Sequence, residues 1–202
     1  MEQKIRIRSI AGVDYGSKMA GTTVLAYLNE HGEIAFVGSE KKKDADLFLL
    51  QQIRDRGFRQ IFIDAPLSLP GVYTQPERYG DYFYREGDKA MKAMSPMFLG
   101  GLTARAMRLK ASLSEEGIEC FEIYPGALAR QLELQQWNYK KQLEHLPAVV
   151  QQLSKVLAFP LASSALQSWH QLDALLAFHI GWRYLHQQHQ CYGAADEGQI
   201  IV

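Results

Sequence analysis

The sequence predicts a mixed α/β protein in which a sheet opens with three antiparallel strands and is covered by helices. Three observations carry this: β-rich segments separated by short turns crowd the first 40 residues or so, apolar strands then alternate with helical stretches, and the last 60 or so are helical in pattern. With 202 residues, 47% of them hydrophobic, the chain is expected to form one domain over 1–202 with a sizeable core.

Residues 4–14 alternate and then turn apolar in Ile10-Ala11-Gly12-Val13, a strand leading up to Asp14. Thr22 to Leu28, rich in β-branched and aromatic residues, is the second strand, and Glu33 to Gly38 the third, joined through Asn29-Glu30-His31-Gly32. Ala45 to Arg56 reads as a helix, with Leu47, Leu50 and Ile53 at helical spacing and Gly57 as its stop. Gln60 to Asp64 is a short apolar strand that, like the first, ends in an acid. Pro66, Pro70 and Pro76 keep 65–80 irregular. Helix resumes over Leu102 to Leu113, a strand follows over Glu119 to Tyr124, Pro125-Gly126 opens another helix, and helices at Leu143 to Leu157 and Leu166 to His186 complete the order.

Lys plus Arg and Asp plus Glu each total 22, so net charge is zero, which argues against a wholesale nucleic-acid coat protein but leaves room for a basic patch beside an acidic site. Cys120 and Cys191 are too few for a disulfide framework, so a reducing, cytoplasmic setting is expected. No signal peptide and no apolar run long enough to cross a bilayer is found.

Asp14 and Asp64 each end a strand. On parallel neighbours about 4.8 Å apart they would share one cation, since two bare carboxylates that close repel. Taken singly, each is an ordinary turn-forming aspartate. Asp173 differs: Trp169, Leu176, Ala177 and Ile180 surround it at helical spacing, which puts a carboxylate in an apolar stripe. Such an acid needs a partner, either a salt bridge with Arg105 or Arg130 or a metal shared with the other two acids. An all-oxygen set suits Mg2+ or Mn2+. Glu122 is a fourth candidate or a solvated strand residue, and His170, one turn before Asp173, is a ligand, a general base or a packed histidine. His179 carries no functional expectation. Gly16, Ser17 and Lys18 form a turn able to hold phosphate oxygens. Arg85, Lys89, Lys92, Arg105, Arg108 and Lys110 form a basic run, an anion-binding surface or ordinary solvated charge.

The strings Gly12-Val13-Asp14-Tyr15-Gly16-Ser17-Lys18, Ile61-Phe62-Ile63-Asp64-Ala65-Pro66-Leu67, Glu122-Ile123-Tyr124-Pro125, Asp173-Ala174-Leu175 and Glu197-Gly198-Gln199-Ile200 together resemble a family of uncharacterised predicted nucleases with a ribonuclease H-like fold. His170 to Leu175 is also similar to the last helix of RuvC-type resolvases. The resemblance implies a five-stranded sheet, three strands antiparallel and two more parallel to the first, and two-metal phosphodiester hydrolysis. It makes Asp14, Asp64 and Asp173 the metal ligands, with Glu122 or His170 completing a shell. Ser17, Lys18, Arg105 and Arg108 would then contact a DNA or RNA substrate, and a homodimer is the candidate assembly. A small-molecule phosphoesterase or phosphotransferase of the same fold and a non-catalytic binding module are the alternatives. Gly12-x-Asp14-x-Gly16-Ser17 also resembles the first phosphate motif of actin-like ATPases and sugar kinases, which close two such domains, over about 300 residues or more, on their nucleotide, so that reading ranks lower.

Overall fold

A computed structural model describes residues 7–161 and 166–202. Its main sheet has five strands: β1 (Ile10–Asp14), β2 (Val24–Leu28), β3 (Ile34–Gly38), β4 (Gln60–Asp64) and β5 (Glu119–Glu122), in the order β3-β2-β1-β4-β5. β1 to β3 pair antiparallel, and β4 is parallel to both β1 and β5. The sequence therefore predicts the arrangement of the sheet. Its first strand begins later than expected: Ile7 and Arg8 are helical, and residues 4–6 of the expected strand lie outside the described residues. Only the continuous apolar run Ile10–Val13 is buried, as a strand between two neighbours and two helical layers requires.

Helices cover both faces. On one, α1 (Ala45–Arg56) and α4 (Gly101–Glu115) pack Leu49, Ile53, Ala106, Leu109 and Leu113 against Val13, Leu25, Ile61 and Ile63. Asp44 caps α1 by accepting from the Asp46 and Leu47 amides, and Gly57 ends it in the left-handed conformation. The buried stripe of α1 is Ala45, Leu49 and Ile53 rather than Leu47, Leu50 and Ile53, and Leu47 is 65% exposed. Four-residue spacing from the cap sets that face, so the leucine at 47 falls outward.

The other face carries α5 (Pro125–Gln131), α6 (Leu146–Leu153) and α7 (Trp169–Leu185). Ser168 caps α7 through the Gln171 amide, three residues later than the sequence suggests. The helix expected at 143–157 is shorter because Pro147 admits an α-helix only from its first turn, and a 3-10 turn at Leu143–His145 precedes it. α7 lies directly on β1: a Cβ on Gly12 would come 2.0 Å from the Phe178 amide nitrogen and 2.6 Å from the Ala174 carbonyl oxygen. Absence of a side chain at Gly12 is what brings the helix backbone against the strand, one residue beyond Asp173 and two before Asp14.

Between β4 and α4 the chain holds a 3-10 turn at Gly71–Tyr73 and two short helices not expected from sequence, α2 (Glu86–Met91) and α3 (Pro96–Leu99). A two-stranded sheet of β6 (Cys191–Tyr192) and β7 (Ile200–Ile201) closes the chain, with Ile201 bridging Ile123 beyond β5.

His179, on the buried face of α7, is 5% exposed and stacks on Trp182 with ring centroids 5.7 Å apart. Its Nδ1 has no hydrogen-bond partner among the described residues, and burial pushes its pKa down to about 4. The unfolded chain binds this proton near pH 6.5 and the folded one only near 4, so stability is lost as pH falls through that window and levels off below it. Urea denaturation from pH 7 to 4 should show a loss of up to about 3 kcal/mol in wild type that shrinks in His179→Leu. An identical pH slope in the variant would contradict it.

Candidate functional site

In the parallel pairing of β1 with β4, Asp14 and Asp64 are register partners, so both side chains leave the sheet on the same face. Ile10, Gly12 and Phe62 precede them on that face, which α7 covers, and the close approach at Gly12 brings Asp173 into the same place. The fold thus brings together the three carboxylates singled out in the sequence.

Their partners differ. Asp14 Oδ2 is 2.7 Å from His170 Nδ1, one turn before Asp173, and this hydrogen bond raises the histidine pKa. Asp173 accepts from the Tyr139 hydroxyl on Oδ1 and faces Lys140 Nζ at 2.5 Å on Oδ2. Burial raises the Asp173 pKa, with Lys140 opposing. Arg105 and Arg130, the partners expected for Asp173, are engaged elsewhere, so its salt bridge exists but is made with Lys140. Asp64 has no hydrogen bond among the described residues. Burial, then Asp173 and Asp14, hold its pKa well above the usual carboxylate range. Asp64 also lines a cavity of about 280 Å³, together with Met94, Leu102, Glu122 and Tyr124.

Tyr139 and Lys140 were not legible as site residues. They follow a 3-10 turn at Leu134–Trp137, and both Asn138 and Lys140 have positive φ, 61° and 57°. Asn138, a residue tolerant of that conformation, is the one sequence signal of a sharp turn there.

Glu122 is neither solvated nor free. Arg85, with no exposed side-chain surface, grips it through Nη1 to Oε2 (2.7 Å) and Nη2 to Oε1 (2.5 Å), while the Leu67 amide donates to Oε2 at 2.7 Å. Arg85 also holds Asp88 and donates to Ser68 Oγ. Arg85 therefore does not belong to an anion-binding surface, and Glu122 tethers the chain that leaves Asp64.

The expected phosphate-contacting residues are spread more widely. Ser17 is exposed, and Lys18 pairs with Asp44 at 2.9 Å. Arg105 binds Asp46 through Nη2 at 2.6 Å and donates to the Gly16 carbonyl, while Tyr15 donates to the same aspartate at 2.5 Å. By alternation this cluster is on the opposite face from Asp14, where it braces the turn that follows. Arg108 reaches Asp46 only at 3.4 Å and stays 69% exposed.

Among the described residues no three His, Cys, Asp or Glu side chains are set as ligands of a single ion. His170 engages Asp14, and Lys140 and Tyr139 engage Asp173. What fits a hard divalent cation is the donor chemistry, carboxylate oxygens throughout, together with Asp64, a carboxylate without a hydrogen bond among the described residues beside two others. Among the described residues no helix is long and apolar enough to cross a membrane. No protein-family model, curated protein or solved structure matches the chain.

Proposed function

We propose that the chain is a divalent-metal-dependent nuclease of ribonuclease H-like fold, with Asp14, Asp64 and Asp173 holding Mg2+ or Mn2+. The single observation that carries this reading is Asp64, without a hydrogen bond among the described residues, in register with Asp14 and repelled by both other acids. A strand order of β3-β2-β1-β4-β5, with the acids at the ends of β1 and β4, accords with the resemblance in the sequence.

When bound, such a cation supplies Lewis acidity and a hydroxide at neutral pH. The chain's own residues do the rest. His170 Nδ1 holds Asp14 Oδ2, which leaves Nε2 on a half-exposed ring to accept a proton from water. Tyr139 and Lys140 fix Asp173. Ser17 and Arg108, both exposed, contact the phosphate backbone of DNA or RNA, and Lys18 and Arg105 brace the Gly16 turn beside it.

A second reading, a small-molecule phosphoesterase or phosphotransferase, is favoured by one observation: the cavity beside Asp64 is compact and mostly apolar in its lining. Single-stranded, duplex and branched DNA, RNA and an RNA/DNA hybrid, incubated with Mg2+ or Mn2+, test the first reading. Cleavage of at least one is expected, abolished by a chelator and restored by metal. Folded protein that cuts none of them but hydrolyses a small phosphodiester would transfer the assignment to the second.

A further inference from the structure

We propose that Lys140 is a resident cation of the site that takes the place of a second metal ion, so that the three aspartates hold one divalent ion and not two. This rests on the metal-dependent reading above and departs from the two-ion arrangement that the sequence resemblance implies.

The acceptors decide it. Both oxygens of Asp173 are taken, Oδ1 by Tyr139 and Oδ2 by Lys140 at 2.5 Å. Asp14 has Oδ2 on His170, which leaves Oδ1. Asp64 has no hydrogen bond among the described residues. Among the described residues, carboxylate oxygens without any partner thus lie on Asp14 and Asp64, the pair in register on adjacent strands, and Asp173 offers the ion only the second lone pair of an oxygen already engaged. Charge points the same way: with His170 neutral, one divalent ion and one ammonium balance three carboxylates, whereas two divalent ions would leave a surplus of two positive charges beside Lys140, in a place of low dielectric, and of only one in its absence.

Lys140 reaches this position on a built loop. The Tyr139 amide donates to the Leu134 carbonyl at 3.2 Å, Leu134 is buried in the core, and the Tyr139 ring meets Trp169 edge-on at 5.8 Å. Left-handed backbone at Asn138 and at Lys140 itself turns the ammonium back onto the helix that carries Asp173. Strain of this kind persists only where surrounding contacts hold it.

Mn2+ titration followed by calorimetry and by electron paramagnetic resonance reads the number of ions directly, without substrate. Wild type is expected to bind one Mn2+ per chain, Lys140→Arg one, and Lys140→Met two, the second ion filling the place the ammonium leaves. Two ions in wild type, or one in a folded Lys140→Met protein, would overturn the proposal while leaving metal dependence intact. No Mn2+ bound by wild type would sink the metal-dependent reading and this one with it. Should Lys140→Met not fold, the wild-type stoichiometry still decides.

Discussion

An Asp64→Asn protein is expected to lose metal-dependent cleavage by roughly 10²–10³-fold or more and yet, in chelator, to melt at a higher temperature than wild type. The two effects share one cause. Asp64 is a carboxylate deep in the protein, without a hydrogen bond among the described residues and beside Asp14 and Asp173. Its raised pKa means that the folded state favours the protonated acid. The sign follows: above the unfolded carboxylate pKa the unfolded chain sheds this proton more readily, so the group destabilises the fold increasingly as pH rises toward its folded pKa. Asparagine copies the shape of the neutral acid and removes that cost. A gain of about 1–2 kcal/mol at pH 7 is expected, roughly 3–6 °C for a chain of this size. The advantage should narrow as pH falls toward the ordinary carboxylate range. Excess Mg2+ should raise the melting temperature of wild type and leave the variant unmoved. An equal or lower melting temperature for Asp64→Asn in chelator would show that Asp64 is not an unpaired charge.

Much of the fold was legible because its strands are buried on both faces and therefore read as apolar runs bounded by turns, as in Ile10–Val13 and Ile61–Ile63. Helix faces were less so. In α1 three apolar residues fit helical spacing, yet the cap at Asp44 fixed a different face and left Leu47 outside. The short helices α2 and α3 escaped because six and four residues give no periodicity to read. Strands β6 and β7 have two residues each and form through Ile201 meeting the end of β5, a contact of distant sequence.

At the candidate site, the acids were legible where a rule of local geometry applied: strand ends for Asp14 and Asp64, an apolar helix stripe for Asp173, and one helical turn for His170. Residues that arrive from a loop were not. Tyr139 and Lys140 sit in a polar stretch with no motif, and only the left-handed turn around Asn138 aims them at Asp173. Arg85 shows the opposite error. In a run of basic residues it reads as surface charge, but Glu122 and Asp88 bind it from separate elements, and that closure is visible only in three dimensions.

Replacing Arg85 is expected to cause the largest loss of stability of any single change considered, about 3–5 kcal/mol for Arg85→Met, or roughly 10 °C. The guanidinium has no exposed surface and satisfies both oxygens of Glu122, both of Asp88, and Ser68 Oγ. Its removal leaves two carboxylates unpaired in the interior, which costs more than the lost attraction. Arg85→Lys should recover little, since one ammonium cannot span two carboxylates with paired bonds. Because burial already raises the Glu122 pKa, an unpaired Glu122 can relieve the cost by taking up a proton, so the deficit of Arg85→Met should shrink as pH is lowered from 7 to 5. For the same reason Glu122→Gln in the Arg85→Met background should restore part of the loss, while in wild type it destabilises. Urea denaturation of wild type and the four variants at both pH values measures all of this, and a deficit below about 1 kcal/mol for Arg85→Met would contradict it. The consequence reaches the site, because the Leu67 amide and Ser68 Oγ, three and four residues beyond Asp64, are held by this same cluster. Arg85→Met that remains folded should therefore bind Mn2+ more weakly, although Arg85 touches none of the three aspartates.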